Sequence, residues 1–112
     1  LRILLDKNVP VGVRGFLSGH DVFTIAEMCW PEQIENGALL NQAEELGFAV
    51  IVTADQNIRY QQKLSGRSIA LVVLGSNIWP IVRSHAAVIA EYVGKVEPGT
   101  MVFVEMRHRI TR

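Results

Sequence analysis

The chain has 112 residues, eleven of them basic and eleven acidic, with 49% hydrophobic and 20% charged residues overall. That length suits one domain with a core of its own, and the apolar content excludes a disordered chain. A formal net charge of zero excludes a global field that would draw in nucleic acid or anionic lipid, so any anionic partner must be held by a local patch.

Short apolar runs bounded by Gly, Asp or Asn alternate with helical stretches, the pattern of parallel strands joined by crossover helices. The run RILLD (Arg2 to Asp6) predicts the first strand. NVPVGVRGFLSG predicts a short helix with Pro10 near its first turn, where a missing N–H costs nothing, closed by Gly19. DVFTIA is a second strand, rich in β-branched residues, and EMCWPEQIEN a loop broken by Pro31. From Gly37 to Leu46, Leu39, Leu40, Ala43 and Leu46 fall at helical spacing, with Asn36 as N-cap and Gly47 as the stop. FAVIVT is the third strand, NIRYQQKL a polar helix, and IALVVL a fourth strand, apolar on both faces as a central parallel strand should be. WPIVRSHAAVIAEYVGKV reads as one long amphipathic helix with Ile81, Val82, His85, Val88, Ile89 and Val93 near one side. TMVFVEM closes the sheet as an edge strand.

The expected fold is therefore α/β: a single domain over residues 1–112, a three-layer α/β/α arrangement around a mainly parallel sheet of about five strands, with a basic tail at 107–112. No apolar run reaches the roughly 20 residues that span a bilayer, and the first residues lack the features of a signal peptide, so the expectation is a cytoplasmic protein that does not enter a membrane. The single cysteine, Cys29, has no partner for a disulfide or zinc site and reads as a small buried apolar residue.

Ligands of open parallel sheets collect beyond the carboxyl ends of the strands. Asp6 ends the first strand and Asp55 follows the third by two residues, so two carboxylates distant in sequence converge on one crevice. Like charges held close raise each other's pKa unless a cation neutralises both. Mg²⁺ is satisfied by one or two carboxylates together with waters and substrate phosphates. Asp after a strand is also a common N-cap, Asp6 for a helix beginning near Val9 and Asp55 for one beginning near Asn57, and spacing alone does not separate the two roles.

Arg59 and Lys63, four apart, and Arg67 shortly beyond suggest a basic strip beside the crevice that would position RNA through its phosphates; a solvated helix face has the same pattern. Trp30 and Trp79 each precede a proline near strand ends, where an aromatic ring can stack on an unpaired base or pack into the core. His20 and His85 carry no assigned role.

The segments ILLDKNVP (Ile3 to Pro10), GHDV (Gly19 to Val22), NGALLNQAEELGF and VTADQNIRYQQ together resemble the bacterial PIN-like proteins, small single domains often encoded in toxin–antitoxin-type gene pairs. The resemblance runs over nearly the whole chain, and its most specific pieces are the LLD-x-N-x-P opening and the T-x-D after the third strand. It implies a ribonuclease dependent on Mg²⁺ or Mn²⁺, acting on single-stranded RNA, with Asp6 and Asp55 as the first and third acids of the metal site and an antitoxin protein as partner. The chain departs from the pattern at the second acid: Asn36 stands where relatives often carry Asp, with Glu35 just before it, so Glu35, Asn36 or Glu27 would complete the set. No acid follows the fourth strand, where Gly75, Ser76 and Asn77 stand.

Two other functions compete. A catalytically inactive PIN-like module would bind a protein partner, such as an antitoxin, or a second copy of itself. A phosphoacceptor receiver domain also places an aspartate after a central strand, but here Asp6 has no adjacent second acid and no lysine follows the last strand.

Overall fold

The computed structural model describes residues 1–30, 36–57 and 64–106. Five strands, β1 (Arg2–Leu5), β2 (Asp21–Thr24), β3 (Val50–Thr53), β4 (Ala70–Leu74) and β5 (Met101–Val104), form one sheet in the order β2-β1-β3-β4-β5. Every pairing is parallel; Leu5 lies beside Thr24 on one side and Val52 on the other, and Thr53 lies beside Val73. The β5 edge strand follows the expectation from TMVFVEM, shortened by a residue or two at each end.

Each face of the sheet carries its own apolar cluster, because successive side chains of a strand point to opposite faces. Ile3, Leu5, Val50, Val52, Val72 and Leu74 meet Val13, Val82, Ile89 and Val93 on one face. Leu4, Ile51, Leu71 and Val73 meet Leu39, Leu40 and Ala43 on the other. The three central strands are buried on both sides, which is why they read as unbroken apolar runs instead of alternating ones.

Helix α1 (Asn36–Glu45) supplies the second cluster. Its far end lies where the strands begin: the Phe48 N–H donates to the Ala43 carbonyl at 3.0 Å, the Ala49 N–H donates to Arg2, and Glu44 receives the Ser68 N–H at 2.9 Å just before β4. Ten residues of helix span about 15 Å, as four to five strand residues do, so α1 starts beside the carboxyl ends of the strands. Asn36 is the first residue of the helix itself rather than its cap, and Leu46, expected on its apolar side, follows the helix and is exposed.

The expected short helix after β1 is a 3-10 helix, Val11–Phe16, capped by Pro10 with no side-chain hydrogen bond. Gly12 and Gly15 weaken an α-helix there. The expected loop after β2 begins instead with a second 3-10 helix, Ile25–Met28, held by a capping box: Thr24 Oγ1 accepts the Glu27 N–H, and Glu27 Oε1 accepts the Thr24 N–H at 2.8 Å. Cys29 closes that helix in the left-handed region at φ 57°, and it is exposed rather than buried.

The single long helix expected after β4 is two: α2 (Trp79–Ser84) and α3 (Ala86–Lys95). At the break, Ser84 Oγ donates to the Ile81 carbonyl at 2.6 Å and His85 Nδ1 lies 2.9 Å from the same oxygen, while the His85 N–H turns back to Val82. Side chains competing for a backbone carbonyl bend helices in this way. Val88, expected on the apolar side, is exposed. Residues 58–63, read as most of a polar helix, and the basic tail at 107–112 lie outside the described residues. Among the described residues no helix is long and apolar enough to cross a membrane.

Trp79 stacks on Phe16, ring centroids 5.6 Å apart and planes within 9°. Gly12 lies so close beneath the indole that an added Cβ would stand 2.7 Å from both Cζ2 and Cζ3 of Trp79. Gly12→Ala is expected to destabilise the protein by about 1–3 kcal/mol through overpacking. Gly15→Ala, in the same 3-10 helix but with nothing within 4 Å of the new methyl, should be neutral or stabilising by up to about 1 kcal/mol. Urea unfolding of both variants checks the contrast.

Candidate functional site

In this strand order the connections leave β1 and β3 in opposite directions, so the crevice beyond their carboxyl ends is the topological switch point where doubly wound sheets bind ligands. Asp6 follows β1 there, Thr53 ends β3, and Ala54 and Asp55 follow it.

Asp6 is buried, 8% exposed as a residue. Its Oδ1 accepts the Lys7 N–H at 2.8 Å and its Oδ2 accepts the Thr53 hydroxyl at 2.7 Å. Thr53, wholly buried, also accepts the Asp55 N–H on the same Oγ1 at 3.0 Å. A hydroxyl has one proton to give; with the Asp55 amide on its lone-pair side, Thr53 directs that proton at Asp6. One buried hydroxyl therefore fixes the carboxylate that ends β1 and the backbone that carries the carboxylate after β3. Asn8 adds a second tie across the same gap, its Oδ1 accepting the Ala54 N–H at 3.0 Å.

The two aspartates differ in their local roles. Asp6 does not cap the following helix, whose N-cap is Pro10; among the described residues its side chain bonds forward to Lys7 and across to Thr53. Asp55 does act locally: Oδ1 accepts the Asn57 N–H at 3.0 Å, an Asx-type turn. Beside them, Gln56 Nε2 reaches the Gly75 carbonyl at 3.2 Å and ties the loop after β3 to the end of β4.

The donor chemistry fits a hard divalent cation. Two carboxylates offer about eight lone-pair positions, of which the described hydrogen bonds use two on Asp6 and one on Asp55. Among the described residues no group of three or more His, Cys, Asp or Glu side chains comes together. The set is thus the two-carboxylate minimum that Mg²⁺ accepts when waters and substrate oxygens fill its other positions.

Of the other residues singled out from the sequence, the described charged ones, Glu27 and Arg67, are engaged elsewhere. Glu35, Arg59 and Lys63 lie outside the described residues, and the side chain of Asn36 does too, although its helix starts on the carboxyl side of the sheet. Glu27 is turned to other work: the Thr24 N–H, together with the Arg14 guanidinium that pairs with it, holds its carboxyl below the usual range. Arg67 is not beside the crevice. It precedes β4, at the opposite end of the sheet, with its guanidinium on Glu44 and on Asn41 Oδ1 at 2.9 Å. Trp79 and Trp30 both pack against the apolar clusters, which accounts for their rings without a stacked base. Thr53 and Asn8 went unassigned in the sequence, although a threonine ending an otherwise apolar buried strand was the available signal.

Beside Asp6 a cleft of about 230 Å³ opens between the ends of β1 and β2, lined by Asp6, Lys7, Val9, Val11, Thr24, Ile25 and Ala26.

No family model, curated protein or solved structure matches this chain.

Two measurements test these placements. Thr53→Val keeps the shape but leaves Asp6 Oδ2 and the Asp55 N–H without their shared partner, and should cost about 1–3 kcal/mol of stability; Thr53→Ser, which retains the hydroxyl, should cost less than the valine. Urea unfolding of the pair resolves the hydroxyl from the methyl. Burial pushes the Glu44 carboxyl up, but the Ser68 N–H and hydroxyl and the Arg67 guanidinium outweigh it and hold it below the usual 4.5. A lowered carboxyl stabilises the fold above its unfolded value and loses that contribution as pH falls through its folded value. Glu44→Gln should therefore destabilise by about 1–2 kcal/mol at pH 7, with the gap closing progressively below 4.5 when stability is followed against pH.

Proposed function

We propose that this chain is a metal-dependent ribonuclease of the PIN-like type, hydrolysing phosphodiesters of single-stranded RNA, with Asp6 and Asp55 as the charged ligands of one Mg²⁺ or Mn²⁺. The observation that carries the reading is the Asp6–Thr53–Asp55 arrangement at the switch point. One buried hydroxyl donates to the Asp6 carboxylate and accepts the backbone N–H of Asp55, an investment in buried polar contacts that a surface turn does not require. A divalent cation held between such carboxylates supplies activation of water and stabilisation of the leaving oxygen.

The chain's own residues do the rest of the positioning. Thr53 holds the Asp6 carboxylate in position by donating to Oδ2, and Asn8 holds the Ala54 backbone so that Asp55 stays beside the crevice. Asn36, the first residue of α1, or Glu35, which precedes it in the sequence, are the groups from which a third ligand would come. The gene-pair context of the PIN-like proteins makes the proposed setting that of a toxin with an antitoxin partner.

A second reading has an observation of its own. Asp55 Oδ1 already closes a turn with Asn57, a role it would keep with no metal at all, and this favours an inactive module that uses the same fold to bind a protein partner.

Asp6→Asn and Asp55→Asn separate the two. Asparagine retains a carbonyl oxygen for the turn and removes only the charge, so the Asp55 variant in particular should fold. For the nuclease, each substitution should lower Mn²⁺-supported cleavage of single-stranded RNA by about 10²–10³, and EDTA should abolish it. Absence of metal-dependent cleavage by the unmodified protein would leave the inactive module standing.

A further inference from the structure

Asn8 carries a donor that the carboxylate pair and its supports leave unused. In the parallel ladder between β1 and β3, the Asp6 N–H donates to the Val52 carbonyl at 2.9 Å. Alternate residues of a strand turn their backbone groups to the same neighbour, so Ala54 presents its N–H to this seam as well. The backbone of β1 no longer answers it, because the Asp6 carbonyl accepts the Val9 N–H at 3.0 Å as the strand turns away. Asn8 Oδ1 takes that place and accepts the Ala54 N–H at 3.0 Å. Its amide is thus the last rung of the ladder, where the seam opens into the crevice between Asp6 and Asp55.

The partner also fixes which way the amide faces. A backbone N–H can only donate, so the atom toward Ala54 is the oxygen, and Nδ2 with its two N–H groups is turned from it. The bonds of the two carboxylates go to Lys7, Thr53 and Asn57 and do not use Nδ2. Among the described residues no buried side-chain nitrogen or oxygen lacks a partner. Asn8 is half-buried, so its Nδ2, bonded to no described residue, reaches solvent.

An uncharged double donor beside two carboxylates suits one kind of ligand atom. A free anion is repelled there, and a cation has no use for a donor. An anionic oxygen that arrives with a divalent cation satisfies both demands. We infer that Asn8 Nδ2 donates to a non-bridging oxygen of the phosphodiester that enters the crevice with the cation at Asp6 and Asp55. Charge in phosphoryl transfer is spread over those oxygens, and a donor already held by the fold stabilises it without reorganising. The bond to Ala54 does the holding. The inference rests on the ribonuclease reading for its substrate, and it is read without cleavage.

The experiment is an NMR titration of the full isotope-labelled chain that follows the Asn8 side-chain N–H resonances. The probes are Mg²⁺ alone, Mg²⁺ with the dinucleotide UpU, Mg²⁺ with uridine, which has no phosphate, and UpU in EDTA. A downfield shift of the Asn8 pair is expected with Mg²⁺ and UpU together and under none of the other conditions. Asn8→Asp separates acceptor from donor, since aspartate keeps an oxygen for the Ala54 N–H and loses the N–H pair. With Mn²⁺ present its urea midpoint should stay near the native one, whereas Asn8→Ala should lower it. At saturating Mn²⁺, single-turnover cleavage by Asn8→Asp should fall about a hundredfold.

Asn8 resonances that stay fixed while the Lys7 and Asp55 amides respond to UpU, or native cleavage by Asn8→Asp, would overturn the inference and leave the nuclease standing. The Asn8 shift in a protein that cleaves no RNA would keep the phosphodiester contact and remove the nuclease. Lys7 and Asp55 amides indifferent to Mg²⁺ would remove the cation and both readings with it.

Discussion

The hydrogen bond from the Thr53 hydroxyl to Asp6 is the interaction on which the site depends. β1 and β3 are buried on both faces, so their backbones are fixed by the sheet and by two apolar clusters. Polar side chains can enter such a layer only at its ends, and only with partners, because an unpaired buried polar group costs about 1–3 kcal/mol. Among the described residues the buried polar side chains are Asp6 and Thr53, and they satisfy each other. Their pairing across the β1–β3 seam carries the register of the strands directly into the geometry of the two carboxylates.

The same fixing extends outward. Asn8 bonds to Ala54 and Gln56 to Gly75, so the ends of β1, β3 and β4 are linked in sequence along the crevice. On the β2 side the capping box of Thr24 and Glu27, with Arg14, fastens the two 3-10 helices around the cleft. At the other end of the sheet, Glu44, Ser68 and Arg67 join the last turn of α1 to the start of β4. The charged residues there serve the fold.

The strands were legible because burial on both faces writes itself as uninterrupted Val, Leu and Ile, and the observed strands fall within the expected runs, trimmed by a residue or two at some ends. Helix α1 was legible from Leu39, Leu40 and Ala43 for the same reason. The break at His85 was not, since the periodicity of α2 and α3 is continuous and the competition for the Ile81 carbonyl exists only once Ser84 and His85 have adopted particular rotamers. Asp6 and Asp55 could be placed at strand ends from sequence, whereas Thr53, the group that joins them, looked like the last β-branched residue of a strand. Arg67 looked like a neighbour of the crevice because sequence distance from Asp55 is short, although the start of β4 lies at the other end of the sheet. Glu27 resembled a spare acid because its capping role depends on a 3-10 helix that EMCWPEQIEN does not announce.

The central claim is that Asp6 and Asp55 hold one divalent cation at the switch point. The most direct measurement is paramagnetic broadening of backbone amide resonances by substoichiometric Mn²⁺. Selective loss of the Lys7, Ala54 and Asp55 signals is expected in the native chain, reversed by Mg²⁺ and absent in Asp6→Asn. Broadening that is uniform, centred elsewhere or indifferent to Asp6→Asn would contradict it.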